Sequence, residues 1–150
     1  MWDVYNNTRS EGFGEEVAKR IMLGTMFLSA NYYDDFYKKA MKVRAVIKNH
    51  LDKIFNTCNA ILCPTTPITA PLAGEKSDDH MKLYDADLFT AFANLAGLPG
   101  LSIPCGFDAA GLPVGAQLVG AALSDGALLN IGYAFQSATN FHKRLPEVQS

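Results

Sequence analysis

Charge is scarce in this chain of 150 residues: Asp, Glu, Lys and Arg make up 19% of it, against about 25% in an average soluble protein, while 49% is hydrophobic. So little polar surface suits a piece of a larger globular domain, whose residues facing the remainder are apolar. A self-sufficient domain with a deep core would look similar. At this length a free-standing domain could bury about 70% of its unfolded surface, so one core is within reach. Nor is there an excess of positive charge. A net charge of -2 and a pI near 5.9 leave no basic footprint of the kind that marks a nucleic-acid-binding domain.

Cysteine is also sparse. Cys58, Cys63 and Cys105 form no C-x-x-C pair, and their odd number leaves one thiol over under any internal pairing, which favours a reducing compartment. No apolar run reaches the roughly 18 residues that span a bilayer, and no basic segment followed by an apolar one opens the chain. A soluble cytoplasmic protein with no membrane partner is expected.

The usual catalytic frames are missing too. A nucleophilic enzyme needs a nucleophile, a base in reach and donors for an oxyanion. There is no Gly-x-Ser-x-Gly elbow, no Ser-x-x-Lys in a Gly-rich frame and no Ser-Ser-Gly stretch. Ser102, inside an apolar run, reads as a packed strand serine. Cys63 and Cys105 end apolar runs, but no helix N-terminus or basic neighbour is there to lower a thiol pKa, so both read as inert buried cysteines. His50, His80 and His142 are scattered without metal-ligand spacing and read as surface residues. Residues 111–115 (GLPVG) are too short for a phosphate loop and read as a turn. No catalytic residue, metal ligand or cofactor site is assigned to this chain.

What the chain does have is a clear order of elements. Residues 1–10 show no periodicity and read as an irregular lead-in. From Glu15, apolar Val17, Ile21 and Leu28 and the small Gly24 recur at helical spacing, with Glu15 and Glu16 where the helix dipole favours acids. A longer helix runs from about Asp34 to about Asn56 on Tyr37, Met41, Val43, Ile47, Leu51, Ile54 and Phe55. Asp34 and Asp35 precede Lys38 and Lys39 by four residues, so the basic cluster Lys38, Lys39, Lys42, Arg44 and Lys48 reads as a solvated face rather than a phosphate site.

Residues 60–63 (AILC), stopped by Pro64, form a strand leading to a Pro/Gly/Ser-rich excursion that extends to Asp79. Leu83 to Ala96 reads as a helix capped by Gly97. Residues 101–105 and 114–119 read as strands joined across residues 108–111 in a hairpin, and Asp125 to about Ser137 as a last helix. The fold class is α/β, in the order ααβαββα.

Two separated blocks carry a more specific signal: residues 10–17 (SEGFGEEV) running on to 20–25 (RIMLGT), and residues 94–99 (NLAGLP) running on to 103–106 (IPCG). With Tyr32, Tyr33, Lys38, Lys39, residues 42–44 (KVR) and residues 64–67 (PTTP) in order and at similar spacing, they resemble the C-terminal part of the amidase-signature family. Within it they fit the branch formed by the A subunits of glutamyl-tRNA(Gln) amidotransferases. The resemblance spans nearly the whole chain. It implies one segment, residues 1–150, of an α/β/α sandwich with a mixed central sheet, whose catalytic lysine and two serines lie upstream of any residue here.

The resemblance also implies a parent reaction in which a serine, activated by a lysine through a bridging serine, releases ammonia from glutamine for conversion of Glu-tRNA(Gln) to Gln-tRNA(Gln). Implied partners are subunits B and C, with ATP and Mg²⁺ used at the partner's site, the N-terminal part of the A subunit, and tRNA only indirectly. Two residues of this chain acquire a role only through it: Arg20 matches the family arginine that holds the glutamine α-carboxylate, and Asp87 the acid that holds its α-ammonium. A planar guanidinium suits a carboxylate and an ionised acid suits an ammonium. Departures from the family pattern fall at Asn31, Phe92, Ala116 and residues 121–125, where they touch packing and loop shape. A general amidase of small amides and a non-catalytic assembly module with the family fold are the alternatives. Isolated, such a segment is expected to self-associate through open sheet edges and apolar faces.

Overall fold

The computed structural model describes residues 1–72 and 85–145. The chain divides into two compact units, Met1–Arg44 and Ala45–Ser150.

The first unit opens with α1 (Trp2–Gly12), where an irregular lead-in is expected from the sequence. The difference has a local cause. The apolar residues of α1, Trp2, Val4 and Tyr5, are all at its start, so no helical repeat runs along it, and it is supported by contacts four residues apart: Thr8 Oγ1 donates to the Val4 carbonyl at 2.7 Å, Ser10 Oγ to the Asn6 carbonyl at 2.8 Å, and the Arg9 guanidinium lies over the Tyr5 ring. α2 (Glu15–Phe27) starts where expected, with Glu15 and Glu16 in its first turn. A single helical turn, α3 (Ala30–Tyr32), then leads into a π-helical segment, Tyr33–Tyr37. Aromatic pairs hold this corner: Phe27 with Phe36 at 5.5 Å, Tyr32 with Phe36 at 5.8 Å, and Tyr33 stacked on Tyr37 at 5.1 Å.

α4 (Lys38–Ile54) carries the expected solvated ion pairs. Lys38 Nζ lies 2.6 Å from Asp34 and Lys39 Nζ 3.3 Å from Asp35, all well exposed, and the Asp34 hydrogen bond and charge raise the Lys38 pKa. Exposed pairs of this kind contribute little to stability.

The second unit is built on a three-stranded antiparallel sheet, β1 (Ala60–Pro64), β2 (Gly100–Phe107) and β3 (Pro113–Gly120), with β3 in the centre. Its proline positions obey the ladder: Pro64 and Pro113 end strands, and Pro104 sits on an edge strand that bulges between Pro104 and Gly106. The hairpin turn is closed by Asp108, whose Oδ1 accepts the Ala110 and Leu112 amides at 2.9 and 2.8 Å, with Gly111 at φ 81° supplying the left-handed residue.

Alternation along the strands sorts the core into two faces. On one, Ile61 and Val119 pack with Leu51 and Ile47 of α4 and with Ala93, Ala96 and Phe92 around α5 (Ala91–Ala96). On the other, Ala60, Leu101, Ile103, Ala116 and Leu118 pack with Leu128 and Phe135 of α6 (Asp125–Ala138). Helices on both faces make the α/β/α layering that the family resemblance implies. Val119 and Leu128 are fully buried or nearly so, each contributing roughly 1.5–3 kcal/mol by leaving water.

The helix expected over residues 83–96 is interrupted. Leu83, Tyr84, His80 and the excursion from 73 to 79 lie outside the described residues. Residues 85–86 are helical, 87–90 form a turn, and α5 begins only at Ala91. α5 ends as expected: Gly97 takes φ 68°, its amide reaches the Asn94 carbonyl and the Leu98 amide the Ala93 carbonyl, a Schellman closure that drops Leu98 into the core.

Candidate functional site

β3 changes character along its length. Val119 is apolar and wholly buried, but on the same face, two residues back, stands Gln117, 7% exposed. Its register partners are Cys63 on β1 and Ser102 on β2, so one row across the sheet reads thiol, amide, hydroxyl. Thr65, just past β1, closes the row: its hydroxyl lies 3.1 Å from Ser102 Oγ and its amide donates to the Gly115 carbonyl at 3.0 Å. Ser102 is therefore solvent-exposed and paired with Thr65, where the sequence suggests a packed strand serine. Strand periodicity hides this, because the residue faces the polar end of its layer.

Gln117 reaches out of the sheet. Its Nε2 donates to the Phe89 carbonyl at 2.8 Å and lies 3.4 Å from Cys63 Sγ. Phe89 belongs to the turn 87–90, in which the Thr90 and Ala91 amides donate to the Asp87 carbonyl at 3.1 and 3.0 Å and the Thr90 hydroxyl adds a third contact. Asp87 is thus in a turn ahead of α5 and not inside the helix expected over residues 83–96. Its side chain is exposed, and its carboxylate has no hydrogen-bond partner among the described residues.

Arg20 lies in the first unit, on α2, where its Nε donates to Glu16 Oε1 at 2.8 Å; its side chain is 62% exposed. Arg20 and Asp87 belong to different units.

The remaining candidates behave as structural groups. The three cysteines are free and half-buried: Cys58 donates to the Ile54 carbonyl and Cys105 to the Val114 carbonyl, both at 3.5 Å. His50 Nδ1 lies 2.9 Å from the Val46 carbonyl of its own helix. His142 is half-buried in a short 3-10 turn, with its Nδ1 unpartnered among the described residues. Asp108 has its pKa lowered, first by the Thr69 hydroxyl at 2.8 Å and then by the backbone amides of the hairpin turn. Among the described residues no helix is long and apolar enough to cross a membrane, and no three His, Cys, Asp or Glu side chains gather as a metal site. A cleft of about 520 Å³ lined by Phe107, Asn140, Phe141, Lys143 and Arg144 includes neither Arg20 nor Asp87.

Comparison with known proteins adds context to this geometry. A family model described as Amidase matches residues 1–129. The A subunit of the glutamyl-tRNA(Gln) amidotransferase of Rippkaea orientalis is 54% identical over 149 residues, covering 99% of this chain and 31% of the relative. That of Thiobacillus denitrificans is 52% identical over 145 residues, covering 97% and 30% respectively. Among solved structures, the glutamyl-tRNA(Gln) amidotransferase A subunit from Thermotoga maritima superposes with a TM-score of 0.73 at 45% identity, over 97% of this chain and 33% of that one. The chain thus spans about a third of the length of these relatives.

Proposed function

Because this chain belongs to the amidase family, we propose that it forms the C-terminal segment of the A subunit of a glutamyl-tRNA(Gln) amidotransferase and supplies one wall of the glutamine pocket. The observation that carries this reading is Asp87: an exposed carboxylate with no described partner, on a turn held by backbone hydrogen bonds beside a polar row of the sheet. An amidase of neutral amides gains nothing from such a charge, since an uncharged substrate offers it no ionic partner. A zwitterionic substrate uses it.

In this reading Asp87 accepts hydrogen bonds from the α-ammonium of glutamine and Arg20 donates two to its α-carboxylate, exchanging part of its contact with Glu16 for the substrate. Both hold the substrate and neither touches the scissile amide. The side-chain amide carbon is attacked by a serine from the N-terminal part of the same protein, ammonia leaves, and water later releases glutamate from the acyl-serine. The ammonia amidates Glu-tRNA(Gln) with subunits B and C, ATP and Mg²⁺ acting at the partner's site and not through this chain's residues. The compartment is the cytoplasm.

The test is to fuse the chain to the N-terminal two thirds of the Rippkaea orientalis relative, 54% identical to it over the replaced part, and to assay ammonia release. Glutamine is expected to be hydrolysed far better than propionamide, which has neither charge. Equal use of the two would favour a general amidase, and a folded fusion with no amidase activity would favour an assembly module.

A further inference from the structure

Resting on that reading of Asp87, we propose that Gln117 is a positioning residue that sets the substrate-ammonium acid by anchoring its turn to the central strand. Gln117 is buried, its Nε2 spent on the Phe89 carbonyl at 2.8 Å and on Cys63 Sγ at 3.4 Å. The opposite amide orientation would set Oε1 against the Phe89 carbonyl, two acceptors face to face, so this contact fixes which way the side chain points.

The consequence lies two residues away. The Asp87 carbonyl is held from the α5 side by the Thr90 and Ala91 amides, and the carbonyl of Phe89 between them is held from the sheet by Gln117. The turn is therefore pinned to α5 and to β3, the strand paired on both sides. A carboxylate that must meet an ammonium at hydrogen-bond distance needs such a base, and because that contact is made equally in the bound substrate and in the transition state, weakening it raises KM and leaves kcat. Gln117 touches no substrate. Its effect passes through Asp87, so it governs glutamine binding and leaves turnover of bound substrate alone.

Two substitutions test this, Gln117→Met, which keeps the volume without a donor, and Gln117→Glu, which keeps the shape and turns the donor into an acceptor. In the chain itself, hydrogen exchange at the Thr90 and Ala91 amides is expected to speed up while the β2–β3 ladder amides keep their protection. In the fused enzyme, KM for glutamine is expected to rise about fivefold, the worth of one neutral hydrogen bond, with kcat within about twofold. Loss of ladder protection in both variants would assign Gln117 to fold stability and overturn the proposal; so would wild-type exchange and KM, or a fall in kcat at unchanged KM. Asp87→Asn separates the two readings. An unchanged KM there removes Asp87 as the ammonium ligand, whereas a raised KM beside a wild-type Gln117→Met removes only the role of Gln117.

Discussion

Thr65 stands so close over Gly115 that a Cβ at position 115 would lie 2.8 Å from its Oγ1 and 3.2 Å from its Cβ. The same threonine meets Ser102 and takes the Gly115 carbonyl through its own amide, so the end of β1 lies against the hairpin with no room for a side chain between.

Gly115→Ala must displace backbone-anchored atoms and not just the tip of a flexible side chain. Overpacking of that kind costs about 1–3 kcal/mol, so the urea midpoint is expected to fall at an unchanged m-value. Gly126→Ala is the control. It sits in the first turn of α6 with open space around it, where alanine's helix propensity makes the change neutral or stabilising by up to about 1 kcal/mol. Equal effects of the two substitutions would refute the steric account.

Acid should act on the hairpin through Asp108. Its folded pKa is depressed below the ordinary aspartate value of about 3.9, first by the Thr69 hydroxyl and then by the Leu112 amide. A depressed folded pKa means that the unfolded chain binds the proton more readily. The stabilisation is therefore complete above the unfolded pKa and is lost as pH falls through the folded one. Asp108→Asn is expected to lower the urea midpoint at pH 7 and to converge with the parent protein in the acid range below about pH 4. A gap between the two that is constant with pH would deny Asp108 this role.

These contacts also show where a sequence stops being readable. The Gly97 closure, the hairpin turn at Asp108 and Gly111, and the Asp34–Lys38 and Asp35–Lys39 pairs are local: each is written in residues a few positions apart, and each is where periodicity and turn chemistry put it. The lead-in hid α1 because its apolar residues stop at Tyr5 and leave no stripe along the helix. The apolar pattern of residues 83–96 continues smoothly through Asp87, yet 87–90 form a turn whose Phe89 carbonyl is held by Gln117, 28 positions away. The Thr65–Ser102 pair spans 37 positions. No local pattern encodes either. Arg20 and Asp87 stood out only through family resemblance, since alone Arg20 is one of several charges along a helix and Asp87 one acid just after another.

Apolar surface left open predicts association. Leu62 on β1, Leu129 and Tyr133 on α6 and Leu88 beside Asp87 are all more than half exposed, and the outer edge of β1 has no strand partner among the described residues. Flat open edges and apolar patches pair with other chains. Sedimentation velocity of the isolated chain is expected to show mass rising with concentration, and Leu62→Lys on the edge strand to lower it. A single monomeric boundary at high concentration would contradict this.

The substrate reading can be tested by matching each charge to the part of glutamine it is said to hold. A hydrogen bond to a charged group is worth about 1.5–3 kcal/mol, so in the fused enzyme both Asp87→Asn and Arg20→Ala should lower kcat/KM for glutamine roughly 10- to 150-fold. The two should part on trimmed substrates. Glutaramate keeps the carboxylate and the amide but has no α-ammonium, so for it Asp87→Asn should cost nothing and Arg20→Ala should cost as much as before. An amide keeping the ammonium without the carboxylate should reverse the pattern. Arg20→Lys keeps the charge but not the planar pair of donors, and should recover only part of the loss. Equal losses on all three substrates would mean that the substitutions damage the fold and not the recognition, and would leave the zwitterion assignment without support.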